Sequence, residues 1–304
     1  LIFATNLNIL YMQSTPMTEL LLLLFFTSTT YFLYRWSESK RMSDLLLVGL
    51  SVFFATLTRY DGWFLFLVAI LAITAISLND LWKKDSNEKL LYQAKRLWPK
   101  LEGTVILFAT IAGFGIFLWL LYNMIIFNNP FYFAFGPYSA SAQQARIEAA
   151  GSLTTKHNLI LSILAYWWAM VNNAGFLIVL FSIVGLVVFI LNHRLRSKGI
   201  VLYTLLAPLF FHLFALYMGH SILVLPELGV NVTNEARGSW FNVRYGLMML
   251  PAIAFFAAYL TKKINLLKLV LIGLIVVQPL IFLSTKNIIT ITDGVIGTSA
   301  LDVG

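Results

Sequence analysis

Four basic and two acidic side chains stand where long apolar runs of this sequence begin or end, and they are the groups best placed to do chemistry. Glu19 opens the run ELLLLLFF. Arg59 and Asp61 share the stretch ATLTRYDGWFLFLV, Ala55 to Val68. Lys156 and His157 are neighbours in GSLTTKHNLI, and Arg244 precedes Tyr245 in NVRYGLMMLP. A guanidinium keeps its charge at any working pH and its planar fork meets a phosphate bidentately. A carboxylate beside such an anion site is suited to take the proton of an incoming hydroxyl or amine. Gathered in one outer-face cavity, Glu19, Arg59, Asp61, Lys156, His157 and Arg244 would form a site in which the arginines bind an anionic headgroup with a carboxylate beside it.

Each of these residues also has a plainer reading. Glu19 is a first-turn acid that complements the helix dipole, with Thr18 as the N-cap. Asp61 is the N-cap of a helix starting at Gly62. Arg59 and Arg244 snorkel to lipid headgroups. Lys156 and His157 are solvated loop residues, and Trp167-Trp168 belongs to an interfacial aromatic belt. External carboxylates suit a divalent cation, but no ligand spacing argues for one.

The elements that position these residues follow from composition. The chain has 304 residues, of which 60% are hydrophobic and only 11% charged, so an ordinary soluble domain is excluded. Its apolar runs suit helices crossing a hydrocarbon core, which takes roughly 17 to 25 residues each, and they lack the alternation of a transmembrane barrel. The expected fold is an all-α, polytopic transmembrane bundle. A net charge of +8 reflects membrane topology here, with no nucleic-acid partner implied. With no cysteine, disulfides and thiolate metal sites are excluded.

Sorting the basic residues by loop sets the expected topology. Glu19 to Trp36 reads as a first span. Asp44 to Leu78 is flanked by basic segments at both ends, which the positive-inside rule resolves as two short helices with an external turn at Asp61-Gly62. Thr104 to Phe127 leads outward into a long external segment, Asn128 to His157. Asn158 to Met170 reads as a helix lying at the outer interface, and Phe176 to Leu191 as the next crossing. Gly199 to Gly219, Tyr245 to Leu260 and Ile264 to Leu283 complete eight spans, with His220 to Arg244 a second long external loop. This arrangement places 15 of the 21 Lys and Arg residues inside.

Together LYMQSTPMTELLLLLFF (Leu10 to Phe26), GLSVFFATLTRYDGWFLFL (Gly49 to Leu67), GSLTTKHNLILSILAYW (Gly151 to Trp167) and NVRYGLMMLPAIAFFAA (Asn242 to Ala258) resemble the GT-C glycosyltransferases. The branch with protein O-mannosyltransferases and lipid A aminoarabinose transferases is the most similar. The resemblance implies a multi-pass enzyme of a prokaryotic plasma membrane, or of a eukaryotic endoplasmic reticulum, with its site on the external or lumenal face. It implies a polyprenyl- or dolichyl-phosphate sugar as donor, a lipid, glycan or protein as acceptor, and inversion at the anomeric carbon. Glu19 in TPMTE matches a second family acid, Arg244 a donor-phosphate arginine, Arg59 a Thr-Arg pattern, and Lys156-His157 a loop that orders around the donor. The family's principal catalytic aspartate lies in a first external loop, which the resemblance places ahead of Leu1 together with the first spans.

On this reading residues 1–304 are one transmembrane domain of a longer protein, with 285–304 the start of an external region. Arg244→Ala is expected to remove transfer and leave expression intact. The competing classes are a transporter or flippase of lipid-linked sugars, which would show inverted repeats and helices broken at the bilayer midplane, and a non-catalytic membrane subunit. Neither transporter feature is evident in the sequence. Asn231-Val-Thr233 fits an N-glycosylation acceptor.

Overall fold

A computed structural model of the chain describes residues 1–82, 90–137, 139–149, 155–192, 198–223, 225, 228, 242–262 and 265–285. The N-glycosylation acceptor at 231–233 and the tail after 285 lie outside the described residues, as do most of the second long loop and much of the basic segments near 83–89 and 193–197. All regular structure among the described residues is helical.

In chain order the helices are α1 (Ile2–Thr5), α2 (Leu7–Met12), α3 (Glu19–Ser39), α4 (Met42–Thr58), α5 (Asp61–Trp82), α6 (Leu90–Phe127) and α7 (Tyr132–Phe135). They continue as α8 (Ala140–Ala149), α9 (Leu159–Ala174), α10 (Phe176–Leu191), α11 (Lys198–Leu205) and α12 (Ala207–Tyr217). A 3-10 segment, Val243–Met249, then runs into α13 (Leu250–Thr261), and α14 (Asn265–Thr285) follows. The chain divides into two compact units. One comprises residues 1–20, 131–194 and 208–304, and the other residues 21–130 and 195–207.

In the unit of residues 21–130 and 195–207, α4 and α5 form a hairpin packed on α6. The sequence-predicted turn is present. Arg59 is extended and ends α4, and the carbonyls of Arg59 and Tyr60 receive the first amides of α5, from Gly62 and Trp63. The indole of Trp63 donates back to the Thr56 carbonyl at 3.1 Å and pins the hairpin. Phe53 and Phe114 stack between α4 and α6, as do Phe66 and Phe108 between α5 and α6. α6 has 38 residues, about 57 Å at 1.5 Å per residue, so it outruns a hydrocarbon core of about 30 Å. The expected polar segment Asn79 to Gly103 is thus largely helical at its ends, through the last turn of α5 and the start of α6.

In the unit of residues 1–20, 131–194 and 208–304, α10 and α13 pack lengthwise, and α9 packs on the 3-10 segment. Phe189 of α10 meets Phe255, Phe256 and Tyr259 of α13 edge-on, and the Asn192 amide donates to the Tyr259 hydroxyl. The long segment Asn128 to His157 contains α7 and α8, so it is more than a loop. Side-chain oxygens of Asn6 and Asn158 cap α2 and α9, accepting from Ile9 and Leu161 at 3.0 Å each.

Among the described residues three helical stretches are long and apolar enough to cross a membrane, Asp61–Asn79, Trp98–Phe127 and Val243–Thr261, and the number rises to five if each bent pair is one span. Three to five of the eight expected spans meet that test. α3 is long enough, but Thr27, Ser28, Thr29, Thr30 and Arg35 dilute its apolar character. α4 has 17 residues, about 26 Å, short of the full core on its own.

Two helix pairs are bent at a short break. α9 and α10 turn by 112° at Gly175, whose φ of +86° is costly for any residue with a Cβ. α11 and α12 bend by 40° beside Pro208, which has no amide to give the preceding turn.

Candidate functional site

The residues on which the sequence places most weight meet. Glu19 is the first residue of α3 and Arg244 the second of the 3-10 segment, 225 positions apart, and Arg244 Nε donates to Glu19 Oε1 at 2.8 Å. The Glu19 side chain is 1% exposed and that of Arg244 12%, so the pair is held away from solvent. A buried carboxylate needs a charged partner of this kind. Glu19 also lies at a helix N-terminus, so the plainer reading of a first-turn acid and the ion pair hold together.

Behind the pair lies a stack of rings. The Arg244 guanidinium lies 5.6 Å from the centre of the Tyr245 ring, Tyr245 stacks on His212 of α12 at 5.2 Å, and His212 stacks on Tyr166 of α9 at 5.1 Å. His212 and Tyr166 are buried. Tyr166 therefore serves the interior, beside the partly exposed Trp167 and Trp168 assigned to the aromatic belt.

The backbone around Arg244 is held by α9. Tyr166 donates its hydroxyl to the Tyr245 carbonyl at 3.2 Å, and the Asn173 amide donates to the Val243 carbonyl at 2.7 Å. Between them Gly246 lies against α9 so closely that a Cβ would fall 2.2 Å from the Ala169 carbonyl oxygen. Only glycine allows that approach.

The other candidates have different partners. Lys156 gives its ammonium to Glu148 of α8, at 2.5 and 2.6 Å to the two oxygens, and its methylenes run past Gly219. His157 takes a positive φ of 57°, donates its backbone amide to the Tyr217 carbonyl at 2.8 Å and sets its ring edge-on to Tyr217. Both residues fasten the approach to α9 onto the end of α12. A phosphate role for Lys156 would require it to leave Glu148.

Arg59 and Asp61 belong to the unit of residues 21–130 and 195–207, where they lie within 3.6 Å of each other, both largely buried. Asp61 is the first residue of α5 rather than the cap before it, so its charge complements the dipole from inside the first turn. Between them, burial pushes the Tyr60 phenol above its ordinary range, and a hydrogen bond with Trp119 partly offsets this.

Among the described residues no group of three or more His, Asp or Glu is arranged to hold a metal ion. Sequence reasoning missed His212, Asn173 and the inward role of Tyr166. His212 is the one basic residue in the apolar run APLFFHLFALY, a signal in itself. Asn173 lies in the Asn-Asn-Ala-Gly break, where its polarity is absorbed by the expected turn. Comparison with protein-family models, with curated proteins and with solved structures finds no match.

Proposed function

We propose that this chain is part of a membrane glycosyltransferase that moves a sugar from a polyprenyl or dolichyl phosphate to a lipid, glycan or protein acceptor on the external or lumenal face. The observation that carries the reading is the buried Glu19–Arg244 pair. A guanidinium and a carboxylate side by side are the two charges such a transfer uses. In the reaction the acceptor hydroxyl or amine loses its proton to a carboxylate, its electron pair attacks the anomeric carbon from behind, and the bond to the lipid phosphate breaks with inversion. Arg244 stabilises the charge that grows on the departing phosphate, an effect worth roughly 3 kcal/mol for a preorganised donor.

Nε–H, one of the five donors of the guanidinium, is given to Glu19, so the pair holds the guanidinium in place. The topology that accompanies this reading is the eight-crossing arrangement with both long loops outside. If α10 runs along the membrane normal, the 112° turn lays α9 close to the membrane plane, as an interfacial helix requires.

The two bent helix pairs support a second reading, a transporter or flippase of lipid-linked sugars, because interrupted helices are a feature of such proteins. Proteoliposomes containing the complete protein and labelled polyprenyl-phosphate sugars distinguish the two. Label arriving on an acceptor indicates transfer, whereas intact donor changing leaflet indicates transport. Arg244→Lys should cut transfer by about a hundredfold, since it keeps the charge but loses the fork.

A further inference from the structure

We propose, on the premise that Arg244 meets the donor phosphate, that Tyr166 and Asn173 are positioning residues for its guanidinium. They lie seven positions apart on α9, two helical turns, and so on one face. Each ties down the carbonyl of a residue flanking Arg244, Tyr166 that of Tyr245 and Asn173 that of Val243. The one peptide unit left between these clamps carries the arginine.

Asn173 is fully buried and its amide orientation is forced. Nδ2 donates to the carbonyls of Ala169 and Val243, at 2.8 and 2.7 Å, while Oδ1 accepts from Asn8 Nδ2 at 2.9 Å. A flipped amide would set oxygen against two carbonyl oxygens. Its own backbone carbonyl accepts from Asn6 Nδ2 at 2.7 Å, so α1 and α2 brace the same point. An aliphatic side chain would fill position 173 without the cost of burying an amide. What the amide adds is a single geometry for the segment bearing Arg244, because both polar atoms of the Asn173 side chain are hydrogen-bonded and the flipped alternative is repulsive.

The test uses the full chain in nanodiscs with 15N-labelled arginine, the Arg244 Nε–H signal being assigned by its loss in Arg244→Lys. Tyr166→Phe removes one hydroxyl and keeps the ring stack, so the fold is retained. Its Arg244 Nε–H should exchange with water about tenfold faster, the value of one buried hydrogen bond, and Asn173→Ala should do the same or more. Wild-type exchange in folded Tyr166→Phe overturns the proposal, whether or not Asn173→Ala folds.

Binding of undecaprenyl phosphate to the same samples separates this proposal from the reading beneath it. Affinity should fall about tenfold in Tyr166→Phe and no further when Arg244 is already Lys. An equal fall in the Lys background overturns the positioning role. Faster exchange in Tyr166→Phe beside a wild-type protein that binds no polyprenyl phosphate upholds the positioning and removes the phosphate from the reading.

Discussion

At the scale of the residue, the Glu19–Arg244 pair changes what a deletion should do. Arg244→Ala leaves a carboxylate that is 1% exposed without its guanidinium, which costs about 3 to 5 kcal/mol. The sequence-based expectation that this variant keeps normal expression is therefore replaced by a marked drop in melting temperature. Glu19→Leu combined with Arg244→Met should recover most of the loss, because no buried charge remains uncompensated. A thermal melt of the single and double variants in detergent checks this, and a double variant as unstable as Arg244→Ala would show that the pair does not act as a unit. The sequence made both residues legible as candidates through their type and their place at helix ends. Their pairing was not legible, since nothing local reports a contact across 225 positions.

At the scale of the element, breaks were easier to read than what lies beyond them. Asp61-Gly62 and Asn172-Asn173-Ala174-Gly175 both interrupt apolar runs, and helices end at both places. The 3-10 form of Val243–Met249 was hidden, because it depends on how closely Gly246 approaches α9. Gly246→Ala should therefore push that segment outward and lower stability by about 2 kcal/mol, whereas a glycine in an open helix loses nothing on becoming alanine. Gly175→Ala combines a positive φ with a Cβ 2.7 Å from the Gln278 side chain and should cost about 1 to 3 kcal/mol. Asn158→Ala removes only the cap of α9 and should cost about 1 kcal/mol. A ranking by chemical denaturation that put Asn158→Ala above both glycine variants would contradict the packing argument.

At the scale of the whole molecule, apolar composition correctly indicated an all-helical architecture among the described residues, compatible with integral membrane placement. Among the described residues three to five helical stretches are long and apolar enough to cross a membrane, and α3, diluted by polar residues, and the short α4 are not among them. Topology is directly measurable, since the chain has no cysteine to interfere with single-cysteine labelling. A cysteine at Tyr60 should react with an impermeant maleimide from outside, and one at Ser39 only after permeabilisation. The reverse pattern would invert the membrane orientation and move the Arg59 turn inside. The claim on which the account depends most is that Arg244 acts on a lipid-linked phosphate, and it is tested by sugar transfer from labelled polyprenyl phosphates in proteoliposomes of the complete protein. Transfer to an acceptor, lost by about a hundredfold in a folded Arg244→Lys variant, is the predicted result. Wild-type transfer in that variant, or movement of intact donor between leaflets with no transfer, would contradict it.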